Sequence, residues 1–110
     1  MYRAKILWAK GEEINMNDLT EQHLILCNKL NTIYEQKNKA YGNSFGETFE
    51  KLGLISAVTR ISDKYNRLVN LATHRDVDIG DEAIEDTLLD MANYCLMTYM
   101  ELQKEKIVNE

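Results

Sequence analysis

Arg60, Asp63, Lys64 and Arg67 follow one another at intervals of three, one and three residues, which gathers them on one side of a helix. Two guanidinium groups with an ammonium between them make a fork for phosphate. A run of acids lies further on. Glu82, Asp86, Asp90 and Asn93 are spaced four, four and three apart, so at about 100° per residue they share a face roughly 80° wide. Carboxylates one turn apart repel by roughly 0.2–0.5 kcal/mol per pair, and a cation relieves the repulsion. Glu85 falls at the helical angle of Leu89, Ala92 and Leu96, where an unpaired polar group would cost on the order of 2–7 kcal/mol. Arg60, Lys64, Arg67 or a metal is therefore expected beside it. Asp63, Glu82, Glu85, Asp86 and Asp90 are the candidate ligands for Mg²⁺, an ion that keeps several waters and needs only one or two protein carboxylates. Attraction between a basic and an acidic helix is the plainer explanation of the same pattern.

A third group of chemistry-bearing residues surrounds KAYGNSFGETFEKLG, residues 39–53, which holds three of the five glycines. Lys37, Lys39, Tyr41, Asn43, Ser44 and Phe45 bring cationic, amide, hydroxyl and aromatic groups together within nine residues. Phosphate takes amines and backbone amides, and a base takes a ring to stack on, so the set suits a nucleotide. Gly42 and Gly46 are expected at positive φ, and Gly53 as the C-cap of a short helix over residues 47–52.

Helices must position these groups. From an N-cap at Asn17, residues 18–38 carry Leu19, Leu26, Leu30 and Ile33 at helical spacing. The second helix begins near Leu54 and ends around His74, with Leu54, Val58, Ile61, Tyr65, Leu68 and Ala72 as a coiled-coil-like seam. The third, over residues 81–106, carries Ile84, Leu88, Met91, Cys95, Tyr99 and Leu102. Extended backbone is conceivable only between Ala4 and Ala9. The expected fold is all-α: a small bundle of three long helices plus the short one after the glycine-rich loop, with residues 1–16 as an N-terminal arm and 17–110 as one helical domain. Such a bundle is thin and its apolar faces are broad, which predicts a homo-oligomer, dimer or higher, with Met91, Met97, Met100, Tyr94 and Tyr99 in core or subunit packing.

The formal charge of −5 opposes non-specific binding to nucleic acid. Its distribution is uneven: residues 1–36 balance to −1, residues 37–75 to +4 and residues 76–110 to −8. A phosphorylated metabolite accompanied by Mg²⁺ would use both signs. No segment has the length of a bilayer span or the form of a secretory leader, which predicts a soluble, cytoplasmic protein. Cys27 and Cys95 lack CxxC spacing and are expected as reduced core thiols. His23 and His74 stand in no catalytic relation to them, which leaves surface or capping roles.

In Lys37-Asn-Lys-Ala-Tyr-Gly-Asn-Ser-Phe45, Arg60-Ile-Ser-Asp-Lys-Tyr-Asn-Arg-Leu68 and Glu82-Ala-Ile-Glu-Asp-Thr-Leu-Leu-Asp-Met-Ala-Asn-Tyr94, the chain resembles the nucleotide modification associated domain family of phages and bacteria, over about residues 20–100. That family looks like a distant relative of the all-α NTP pyrophosphohydrolases, the MazG-like and dimeric dUTPase group, whose paired subunits hold a nucleotide and Mg²⁺. The resemblance implies a Glu cluster on one helix and E-x-x-D on a later one. Here Asp90 matches the final acid while Thr87 stands where the Glu would be, Lys64 and Arg67 occupy expected carboxylate positions, and Ala40 replaces an acid before Tyr-Gly. Three functions follow. The first is capture of a phosphorylated nucleotide without turnover, for a phage protein the sequestration, or sponging, of a host nucleotide signal, with Lys37, Lys39, Tyr41, Asn43, Ser44, Phe45, Arg60, Lys64, Arg67 and Asn93 as binding residues. The second is Mg²⁺-dependent hydrolysis of a nucleoside triphosphate between the α and β phosphates, on Asp63, Asp86 and Asp90. The third is a helical interaction module whose charges only direct helix pairing.

Overall fold

The computed structural model describes residues 5–7, 13–15, 18–74 and 81–109. The proposed N-cap Asn17 and the turn over 75–80 lie outside them. Strand β1 (Lys5–Leu7) pairs antiparallel with β2 (Glu13–Asn15), with Ile6 opposite Ile14. Four helices follow: α1 (Leu19–Tyr41), α2 (Ser44–Leu52), α3 (Leu54–Thr73) and α4 (Asp81–Asn109). The fold is thus all-α apart from one short hairpin, and no helix among the described residues is long and apolar enough to cross a membrane.

The chain divides into two units, Met1–Gln36 and Lys37–Glu110. The first contains the hairpin and most of α1. Asp18 caps α1, its Oδ1 accepting the Glu21 backbone N–H at 2.9 Å. The apolar stripe expected of this helix is present, but α1 buries none of its residues, and Leu19 and Leu24 are exposed.

The second unit is built on the antiparallel pair of α3 and α4, with α2 packed against both. Two glycines make the connections. Gly42 (φ 67°) turns the chain from α1 into α2, and Gly53 (φ 79°) turns it from α2 into α3, conformations that side chains with a Cβ rarely adopt. Gly46 differs from expectation. It lies buried inside α2 without positive φ, and a Cβ there would stand 2.6–2.8 Å from the Asn43 side chain and Glu101 Oε1. Close approach, not turn geometry, requires the missing side chain. His74 ends α3, its backbone N–H reaching Asn70 O at 3.1 Å, in keeping with a capping histidine.

The inward faces are not those the apolar seams predict. Phe49, Ala57 and Leu71 are buried, together with the polar Thr87, Asn93 and Thr98. Leu54, Val58, Tyr65, Leu88 and Tyr99 are each more than 40% exposed. Hydroxyls can occupy the interior because helix carbonyls accept their protons: Thr87 Oγ1 donates to Ala83 O at 2.7 Å and Thr98 Oγ1 to Tyr94 O at 2.6 Å. Cys27 and Cys95 are free but exposed, not core thiols. Cys27 belongs to a helix that buries nothing, and Cys95 to the outward side of α4. Glu85 is likewise exposed, because that side of α4 is open. A solvated carboxylate needs no buried partner, and the one expected for it is not required.

Candidate functional site: a cationic cleft walled by aromatic rings

The polar face of α4 and the basic flank of α3 meet within the second unit. On α3, Arg60 and Lys64 are half-buried and Arg67 is exposed. On α4, Thr87, Asp90 and Tyr94 recur at three- and four-residue intervals and face inward. Asp90 is the electrostatic centre. Its Oδ1 accepts from Lys37 Nζ at 3.1 Å and its Oδ2 from Lys64 Nζ at 3.0 Å. The side chains of Lys64 and Asp90 are 27% and 26% exposed, whereas Lys37 is 59% exposed, so the Lys64 pair is the less screened of the two. Burial of Asp90 is the largest single influence on its proton affinity and pushes the pKa up. The hydrogen bonds and charges of Lys64 and Lys37 together outweigh it and hold the carboxyl below its ordinary range.

One turn further along α4, Tyr94 forms an aromatic wall. The Phe45 ring of α2 stacks on it at 6.0 Å between centroids with 24° between planes, and the Arg60 guanidinium lies 6.0 Å from the same Tyr94 centroid. These are cation–π and offset-stacking distances. A cleft of about 670 Å³ opens beside this wall, lined by Thr48, Leu52, Ile55, Arg60, Asp63, Lys64 and Tyr94. A second, about 390 Å³, is lined by Lys64, Arg67, Glu82, Asp86, Thr87 and Asp90. Lys64 borders both. At the edge of the second, Arg67 Nε donates to Thr87 Oγ1 at 3.2 Å, a bond that engages only one guanidinium nitrogen.

Of the residues expected to bind, Lys37, Phe45, Arg60, Lys64 and Arg67 come together around Tyr94 and Asp90. Tyr41, Lys39 and Ser44 are exposed and line neither cleft. Asn43 lies against Gly46, and Asn93 is buried. Of the expected metal ligands, Asp63 borders the larger cleft and Glu82, Asp86 and Asp90 the smaller, while Glu85 belongs to neither. Among the described residues no three carboxylate, histidine or thiol groups stand together as a metal cage. A Mg²⁺ ion held by one or two carboxylates and its own waters would need no such cage.

Tyr94 and Thr87 are central to the geometry but absent from the expected binding set. Their signal was a polar repeat through Thr87, Asp90, Tyr94 and Thr98, which the stronger apolar repeat on the opposite side of the same helix obscures.

A small all-α domain with a cationic cleft against an aromatic wall is the class that this fold and site define. The chain belongs to the nucleotide modification associated domain 1 family, whose model matches residues 37–102. The match begins at Lys37, the first residue of the second unit, and takes in every residue of the two clefts. Comparison with curated proteins and with solved structures gives no significant match.

Proposed function

We propose that the second unit captures a phosphorylated nucleotide and releases it unchanged. The base lies in the larger cleft against Tyr94, beside Arg60, and the phosphates follow Lys64 toward Lys37 and Arg67 at the mouth of the smaller cleft, whose Glu82, Asp86 and Asp90 limit how far a phosphate enters without a cation. A volume of about 670 Å³ is ample for a nucleoside, since small-molecule pockets run from about 300 to 1,000 Å³. The single observation that carries this reading is the convergence of Lys37 and Lys64 on one carboxylate beside a stacked aromatic pair. Cations so arranged stabilise phosphate in the ground state and in the transition state alike, which raises affinity without raising turnover. Lys64 stands where the family resemblance leads one to expect a carboxylate, and its ammonium satisfies the acid that a metal would otherwise bind. For a phage protein, the corresponding role is sequestration of a host nucleotide signal.

The test is incubation of the purified chain with mono-, di- and triphosphate and cyclic nucleotides, followed by heat release and chromatography of the supernatant. Capture depletes one nucleotide class and returns it intact. Appearance of a monophosphate with pyrophosphate would replace capture by Mg²⁺-dependent hydrolysis. Absence of depletion across the panel would leave a helical interaction module.

A further inference from the structure

We propose that the apolar side of the α3–α4 pair, turned away from both clefts, is the face on which a second copy of this chain packs. The residues of α3 that border the larger cleft include Ser56, Arg60 and Asp63. At about 100° per residue, Leu54, Val58 and Tyr65 lie on the opposite side of the helix, turned by roughly 180°. On α4 the side bearing Leu88 and Tyr99 is likewise turned away from Asp90 and Tyr94. Handedness places both outward stripes on one side of the antiparallel pair. Ile61 and Met91 agree with this: they are half-buried, as residues at the floor between two helices are, while Leu54 (47%), Tyr65 (55%), Leu88 (48%) and Tyr99 (65%) are exposed at its rims.

Two observations identify the occupant as a second copy. The first is area. The twelve apolar side chains along these stripes, five of them 45–65% exposed and the others partly or fully exposed, present on the order of 800 Å², which is what each partner of a standard protein interface contributes. The second is charge. Neither stripe carries a charged residue from Leu54 to Ala72 or from Ile84 to Leu102, although the chain as a whole is at −5. A neutral face lets two such chains meet without like-charge repulsion. Two α3–α4 pairs joined this way form a four-helix core with 3–4 spaced seams inward. Both clefts of each copy stay open on the far side, so the inference stands independently of what they bind.

Sedimentation equilibrium of the full chain at tens of micromolar checks this. The expected result is a dimer, and substituting either Tyr65→Glu or Leu88→Glu, which places like charges in the interface of both copies, weakens association at least a hundredfold with helical content retained. A monomeric wild type would overturn the proposal, as would a dimer indifferent to both substitutions. Should both variants unfold, maleimide labelling of Cys95 in a Cys27→Ser background decides. Association shields that thiol, so labelling slows in concentrated protein and speeds up several-fold on dilution below the dissociation constant. Equal rates at all concentrations would refute the interface.

Discussion

In the proposed capture, Asp90 stands where the phosphate would bind. With its two oxygens on Lys37 and Lys64, it neutralises the cations that a phosphate would use, so an incoming anion competes with a carboxylate the protein already carries. Replacing Asp90 by Asn keeps the shape and removes the charge. At about 5 Å from the phosphate, a unit charge is worth roughly 0.8 kcal/mol in water and about 3.3 kcal/mol at an effective dielectric of 20. The partial exposure of the Lys64–Asp90 pair argues for an intermediate value of about 1.5–2 kcal/mol, which is roughly a ten- to thirtyfold gain in affinity. Calorimetric titration with inorganic pyrophosphate, without divalent cations and at low salt, reads this directly. Unchanged or weaker binding by the Asn variant refutes the counter-ion argument. Loss of binding together with a Mg²⁺ requirement in the wild type would instead make Asp90 a metal ligand.

The same substitution costs stability, and its pH dependence has a definite sign. The folded-state pKa of Asp90 is depressed, so its contribution is fully present above the unfolded-state carboxylate range and is lost as pH falls through the folded value. The Lys64 contact accounts for most of it, about 1 kcal/mol, since the exposed Lys37 contact is screened. Melting curves of wild type and Asp90→Asn should differ at pH 7 and converge in acid. A difference that grows on acidification would contradict the assignment.

Three further outcomes are expected. Tyr94→Ala removes the ring on which the base stacks and should weaken nucleotide binding by about 1–3 kcal/mol while leaving pyrophosphate affinity unchanged in the same titration; Phe45→Ala, which removes only the ring backing Tyr94, should cost less. Gly53→Ala meets no atom within 4 Å but must adopt a φ near 79° with extended ψ, at a cost of about 1–3 kcal/mol seen as a lower midpoint in urea. Thr87→Val, nearly isosteric, deletes the acceptor for Arg67 Nε. It should lower pyrophosphate affinity severalfold if that bond aims the guanidinium into the smaller cleft, and an unchanged affinity would remove Arg67 from the site.

The helices were legible because 3.6-residue periodicity survives any packing arrangement. α3 ends at Thr73 where His74 was expected to close it, and α4 starts at Asp81 as expected. The inward faces were not legible. A seam such as Leu54–Val58–Ile61–Tyr65–Leu68 indicates that the face will be covered, without indicating by which chain, and in this unit much of it remains exposed. Tyr94, grouped with the methionines as packing, does pack against Phe45 and Arg60; that its ring also borders the larger cleft was not legible for the same reason. Gly46 shows a different limit. Turn chemistry explains a glycine by its φ, whereas this one is required by Asn43 and Glu101 crowding its Cα, which only three-dimensional proximity discloses. Arg60, Lys64 and Arg67 were recoverable as one face of α3 because their charge and spacing determine that face whatever covers it, whereas Lys37, on α1, was recoverable only by its charge.

The polarity of the second unit follows one logic. Thr87, Asn93 and Thr98 are buried along α4 beside the half-buried, paired Asp90, and a chain does not ordinarily bury polar groups while apolar stripes stay outside. The arrangement is favourable only if the inward side must remain polar and the outward side is not finally exposed. A cleft that admits a phosphate meets the first condition, because fixed ammonium and guanidinium groups need acceptors when it is empty, and Asp90 and Thr87 provide them. A covering partner meets the second. The two proposals therefore make separate demands on the same helices: charge substitution at Asp90 should alter anion affinity without altering the sedimentation mass, and substitution at Tyr65 or Leu88 should do the reverse.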